Sequence, residues 1–191
     1  MKKAKKLPLI LLGLGTGLLA TEAMAACTIS GDVISANCGG GTTSWFGGNL
    51  NILSGVNVSG QIDVYTYTAS IFTNYGTLID SHGGYAFFNV NGVDPLTISN
   101  YGTIGDANSY AAFLAGSDIL LLRNSGQMQG GSSSAVVMSQ VNIDTFINSG
   151  AISGPYIGLN NYGTITALTN TGTISSNIAI QTSGEITTLN N

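Results

Sequence analysis

Around a recurring glycine, the chain alternates apolar and polar side chains. The segments IFTNYGTLID, LTISNYGTIGD, LLLRNSGQMQG, DTFINSGAISG, GLNNYGTIT, ALTNTGTIS and AIQTSGEIT align on Gly76, Gly102, Gly126, Gly150, Gly163, Gly172 and Gly184. Four residues before each glycine stands an apolar residue: Phe72, Ile98, Leu122, Phe146, Leu159, Leu168 and Ile180. Two residues after it stands another: Leu78, Ile104, Met128, Ile152, Ile165, Ile174 and Ile186. Positions of the opposite parity, such as Thr73, Ser99, Arg123, Thr77, Thr103 and Gln127, are mostly polar, with Ile147 the plain exception. Period-two alternation marks a strand with one face inward. Each segment therefore predicts a strand interrupted by a turn at its glycine.

The turn supplies a reason for its two most repeated letters. A corner that reverses the chain sharply favours positive φ, which glycine adopts without steric cost, and an Asn two positions earlier can bond local backbone groups. By parity that Asn shares the inward face. Asn74, Asn100, Asn124, Asn148 and Asn170 are therefore expected to stack inward, each amide bonding the next, as Asn ladders do in stacked strands.

Spacing sets the coil. Gly76, Gly102, Gly126 and Gly150 are separated by 26, 24 and 24 residues, while Gly150 to Gly172 is 22 and Gly163 to Gly184 is 21, so the later motifs fall into two columns. The longer units carry a second apolar run, YAFFNV, YAAFLA or SAVVMS, that supplies another wall. Units of fixed period built from short strands read as a solenoid. The fold expected is all-β: a parallel β-helix of about 24 residues per coil, right-handed by the usual preference of parallel connections. Residues 26–49, with Trp45 and Phe46, break the period and are expected to form an N-terminal cap, leaving 50–191 to the repeats. The pattern runs to the last residue, so the repeats are expected to continue beyond it in a longer protein.

The N-terminal 25 residues do not belong to this pattern. Lys2, Lys3, Lys5 and Lys6 precede a short apolar run, and Ala23-Met24-Ala25 offers small residues for cleavage before Ala26. This is the signature of a secretory signal peptide, and the run is too short to span a bilayer comfortably. Cleavage would remove four of the five basic residues and one of the nine acids, Glu22, leaving Arg123 against eight acids and a net charge of about −7. Without clustered Lys and Arg, nucleic-acid binding is excluded as a function class. Disorder is excluded too, because the charge-poor chain is rich in Ile, Leu, Val, Phe and Tyr. In an oxidising compartment Cys27 and Cys38 are expected to pair as a disulfide closing a short loop.

Candidate chemistry is sparse. His82, the sole His, could act only with a neighbour such as Asp80, and no G-x-S-x-G elbow is present. Asp63, Asp80, Asp94, Asp106, Asp118 and Asp144 lie scattered near turns, without the G-G-x-G-x-D calcium repeat. Asp80 and Asp106 share a repeat position, four after their glycine, where turn capping is the expected job. Tyr75 and Tyr101 occupy equivalent outward positions, with Tyr162 at the matching place in another column. Such tyrosines form a possible binding surface, or simply stabilise the sheet by cross-strand stacking. No cofactor, metal or catalytic residue is implied, and the chain is read as a non-enzyme. A β-helical carbohydrate-active enzyme is the alternative, which requires Asp80, Asp106 or His82 to converge in a cleft.

With its NYGTI, NTGTIS and NSGAISG repeats behind a signal peptide, the region from about 70 to 191 resembles the passenger domain of bacterial monomeric autotransporters. The resemblance implies a β-helical passenger carried to the cell surface, outer membrane or extracellular space by a C-terminal outer-membrane barrel. The alternating amphipathic strands of such a barrel are absent from this sequence, which fits a truncated passenger. It implies an adhesin-like or structural stalk module whose partner is a host glycan or protein ligand. It also implies that few, closely spaced cysteines suit export, as Cys27 and Cys38 are.

Overall fold

The computed structural model describes residues 27–191 apart from 81, 93 and 94. The signal peptide and its cleavage position, Ala26 included, lie outside the described residues. Among the described residues there is no helix, and the strands form three parallel sheets that the chain visits in turn. This is a parallel β-helix.

The first sheet has eight strands: Val33–Ile34, Asn49–Ile52, Ser70–Asn74, Leu96–Asn100, Ile119–Asn124, Asn142–Asn148, Thr164–Asn170 and Glu185–Asn190. The second has seven: Cys38–Gly39, Asn57–Ser59, Thr77–Ile79, Thr103–Ile104, Gln127–Gln129, Ala151–Ser153 and Thr173–Ser175. The third also has seven: Thr43–Trp45, Ile62–Thr66, Tyr85–Gly92, Ala111–Ala115, Ser134–Met138, Ile157–Asn161 and Ile178–Thr182. Register puts Ile98 directly between Phe72 and Leu122, and Phe146 between Leu122 and Leu168. From Asn74 onward the coil shortens, from 26 residues between Asn74 and Asn100 to 21 between Asn170 and Asn191.

Alternation explains why these residues make this core. Ile62, Val64 and Thr66 point in while Asp63 and Tyr65 point out; Leu96, Ile98 and Asn100 point in while Thr97 and Ser99 point out. The N-terminal half of the shaft is aromatic. Trp45 meets Phe72 at 6.2 Å between ring centroids, Phe72 meets Phe87 at 4.5 Å, and Phe87 meets Phe113 at 5.5 Å. Each such fully buried side chain contributes about 1.5–3 kcal/mol by leaving water, a gain that only stacked coils can collect. Where the second and third sheets converge the space is narrow. Ala86, Ala112 and Ala135 are fully buried there, and a Cβ added to Gly158 would stand 2.5 Å from Ile174 Cγ2.

Two expectations need correction. Residues 26–49 are not wholly outside the repeat: Val33–Ile34, Cys38–Gly39 and Thr43–Trp45 already form a short first coil, one strand in each sheet. Only the segment before Val33 stands apart. It turns back through Gly31 and Asp32, both at positive φ, bridges Ser30 to Val33 antiparallel, and packs Cys27 and Ile29 against the core. The Cys27–Cys38 disulfide fastens that segment to the second sheet, with 4.9 Å between the Cα atoms.

The second correction concerns the seven repeat glycines, none of which takes a positive φ. Their reason is crowding. A Cβ on Gly102, Gly126 or Gly150 would lie 2.0 Å from the carbonyl oxygen of the glycine one coil earlier; on Gly172 the distance is 2.1 Å. On Gly76 it would meet Val56 O at 2.4 Å, on Gly163 Val141 O at 1.9 Å, and on Gly184 Gly163 O at 1.9 Å. Stacked backbone leaves no room for a side chain, whatever the dihedral.

Candidate functional site

The corner between the first and second sheets is held by the asparagines. Asn74 Nδ2 donates to Asn100 Oδ1 at 2.8 Å, Asn100 to Asn124 at 2.8 Å, Asn124 to Asn148 at 2.8 Å and Asn148 to Asn170 at 2.7 Å. Asn170 continues to Asn191 at 2.6 Å. The second amide hydrogen also reaches forward, to the carbonyls of Thr103, Gln127, Ala151 and Thr173. Each interior rung thus accepts one bond from the coil before and donates two to the coil after. Such satisfaction is what makes buried amides tolerable in an apolar shaft.

The residue after each Asn points outward at this corner, giving the column Tyr75, Tyr101, Ser125, Ser149 and Thr171, which Leu53, after Ile52, begins one coil earlier. Tyr75 and Tyr101 stack with 5.0 Å between centroids and 8° between planes. Parallel rings this close cover one another's inner faces and present edges and hydroxyls to solvent. Further along, Ser149 Oγ and Ser125 Oγ are 3.0 Å apart. Tyr162 stands at a different corner, between the third and first sheets, where Asn160 Nδ2 donates to its hydroxyl at 3.1 Å. The three tyrosines therefore do not form one surface.

The corner between the second and third sheets carries the acids. Asp80 is buried and accepts the His82 amide at 3.0 Å on Oδ1 and the Gly84 amide on Oδ2. Asp106 accepts the amides of Asn108 and Ser109, both at 2.9 Å, and the Ser109 hydroxyl at 3.1 Å. Burial alone would raise the Asp106 pKa, but these bonds outweigh it and hold the carboxyl below its usual value. The Asp80 amide also lies 3.4 Å from Ser109 Oγ, so the two turns touch through that serine. His82 Nδ1 sits 3.5 Å from Asp80 Oδ1, with the imidazole 65% exposed. Around them Gly41, Thr42, Gln61 and Gly84 complete a shallow cavity of about 310 Å³. Asp63, Asp118 and Asp144 lie elsewhere; Asp118 holds the Asn142 amide one coil on, at 2.8 Å. Asp94 is outside the described residues.

Sequence reasoning missed several participants. Asn161 repeats the Asn-x-Gly device at another corner, accepting the Gly163 amide at 3.0 Å and donating to Glu185 O at 3.1 Å. The signal was present in NNYG. Phe46, assigned to the cap, instead stacks on Tyr65 of the next coil at 5.7 Å and 21°.

No family model, curated protein or solved structure matches the chain.

Proposed function

We propose that this chain is an exported β-helical passenger, displayed at the cell surface or released outside it, serving as a structural stalk or adhesin-like binding module. The observation that carries the reading is the solenoid itself: parallel strands stacked coil upon coil around a continuous shaft, with an amide ladder stitched along its length. A rod of this kind extends by adding coils, and its stability is close to a sum over neighbouring coils. A stalk needs that property. The cationic, apolar and small-residue sequence of 1–25 and the lone mature cation Arg123 support export and argue against a polyanionic partner. The autotransporter resemblance supplies an outer-membrane barrel as translocator.

A non-catalytic role is the better fit to the acids. Asp80 and Asp106 are each occupied by the backbone amides of their own turn, and His82 leans out into solvent. The enzyme alternative would route proton transfer through the Asp80–His82 pair in its shallow cavity.

Export is tested by expressing the full chain in a Gram-negative host, fractionating the cells and sequencing the recovered N-terminus. Material outside the inner membrane beginning at Ala26 is the expected result. Cytoplasmic material beginning at Met1 would sink the reading.

A further inference from the structure

Near its N-terminal end the third sheet turns a mixed aromatic and polar row outward. Over the first coils, Ile62, Val64 and Thr66 face the shaft while Gln61, Asp63 and Tyr65 face out along the same strand, and Tyr67 follows at its end, 64% exposed. Phe46, 65% exposed, lies against Tyr65 from the coil before. In the coils that follow, the register positions that continue Asp63 are Phe88, Leu114, Val137, Asn160 and Gln181.

The polar end of this row is pre-arranged. Gln61 Nε2 donates to Asp63 Oδ1 on the same face. Gln61 Oε1 turns the other way, toward the small cavity: a Cβ on Gly84 would be 3.1 Å from it and 2.5 Å from Asp80 Oδ2. From Gln61 to Tyr67 the row is about 20 Å long at a strand's rise of roughly 3.3 Å per residue. A short oligosaccharide is of that length.

We propose that this face, Gln61, Asp63, Tyr65 and Tyr67 with Phe46, binds an uncharged oligosaccharide laid along the strand. A pyranose offers an apolar C–H face and a rim of hydroxyls. Exposed aromatic rings match the first, giving large contact area at little conformational cost. A carboxylate paired with an amide matches the second, since together they accept and donate to adjacent hydroxyls. Electrostatics selects the class. Asp63 lies in the row and Asp80 borders the cavity at its Gln61 end, while Arg123 is on a strand of the first sheet, so sulfated, phosphorylated or sialylated glycans meet repulsion. The stacked Tyr75–Tyr101 pair is a weaker candidate, since the next side chains of its column, Ser125 and Ser149, bond one another rather than flanking the rings with a paired amide and carboxylate.

The surface-display reading supplies only the biological setting, and binding is tested on the purified full chain whatever the outcome for export. The probe is a printed array of uncharged gluco-, galacto-, manno- and N-acetylglucosamine oligosaccharides beside sialylated and sulfated ones, followed by calorimetric titration of the strongest tetrasaccharide. Capture of uncharged glycans is expected. Phe46→Ala and Tyr67→Ala should each weaken the titrated ligand about tenfold, equivalent to about 1.4 kcal/mol, whereas Tyr75→Ala and Tyr101→Ala should leave it unchanged. The proposal is overturned by capture of anionic glycans alone, by no capture, or by Phe46→Ala and Tyr67→Ala binding like the unmodified chain. Capture of a deglycosylated protein in place of the glycans would also overturn it, assigning the face to a protein partner.

Discussion

From Asn74 onward, the chain passes from the first sheet to the second in two residues every time: 75–76, 101–102, 125–126, 149–150 and 171–172. From the second sheet to the third it takes 80–84, then 105–110, 130–133, 154–156 and 176–177. Of the three corners of each coil, the first is fixed in length and the second varies most. At the fixed corner the carbonyl of each Asn accepts two amides from the coil after it: Tyr101 and Gly102 on Asn74, Ser125 and Gly126 on Asn100. Nothing there can lengthen without unstacking the rung. The variable corner shrinks from six residues to two along the rod, since changing the length of a surface loop costs little. Less uniformly stacked, it carries side chains with individual roles: Asp80, His82, Asp106 and Ser109. Regularity at one corner permits specialisation at the other.

The contrast is broken most severely by insertion. Two alanines placed between Tyr101 and Gly102 should abolish cooperative unfolding in urea, because they push Asn124 and the later rungs out of register with Asn100 and pull the Thr103 carbonyl from the Asn74 amide. The same pair placed between Ser132 and Ser133 should cost less than about 1 kcal/mol, read as a small shift of the urea midpoint.

Next in size is the glycine test. Gly126→Val should destabilise by about 3–5 kcal/mol, since relief of a 2.0 Å contact with Gly102 O demands movement of backbone. Gly83→Ala, at φ +82 with no atom nearer than 3.9 Å, should cost only about 1–2 kcal/mol, the ordinary penalty of a left-handed residue. Equal losses in the two variants would erase the distinction between crowding and dihedral strain.

Smaller again, Asn124→Ala should cost about 2–4 kcal/mol, because it leaves Asn148 Oδ1 and the Ala151 carbonyl without their buried donor. Asn108→Ala, which removes only an exposed 3.2 Å bond to Asp106, should change stability by under about 0.5 kcal/mol. Thermal or urea unfolding of the two variants side by side supplies the measurement.

The subtlest difference is in pH. The Asp106 carboxyl has a depressed pKa in the folded chain, so its contribution is complete above the unfolded value, about 4, and is lost as pH falls through the folded one. Hydrogen exchange at the Asn108 and Ser109 amides should therefore quicken relative to Gly126 below about pH 4, after correction for intrinsic rates. The asparagine ladder contains no group that titrates there, and its amides should keep their protection.

Much of the fixed corner was legible because it repeats. Phe72, Ile98, Leu122 and Phe146 fell on one parity, and an Asn two before a Gly recurred at nearly the coil length. The wrong reason given for those glycines is equally instructive. Sequence shows that a side chain is disfavoured, and both a positive φ and a neighbouring backbone produce that same signal. The variable corner was less readable. Asp80 and Asp106 were noticed as equivalent positions, yet the contact of their turns through Ser109 depends on coils of different length lying side by side. Phe46 was misplaced for a similar reason: its coil is short, and a short unit carries too few positions to display a period.

The amino-acid order alone determined the alternation, the coil length and the class of fold, because in-and-out parity and the volume of each side chain are local properties of an extended chain. Only the three-dimensional stack decided which carbonyl crowds each glycine, which asparagine amides close on one another and which rings share a face. Those outcomes depend on the register between coils, and register is fixed when the whole shaft is filled at once.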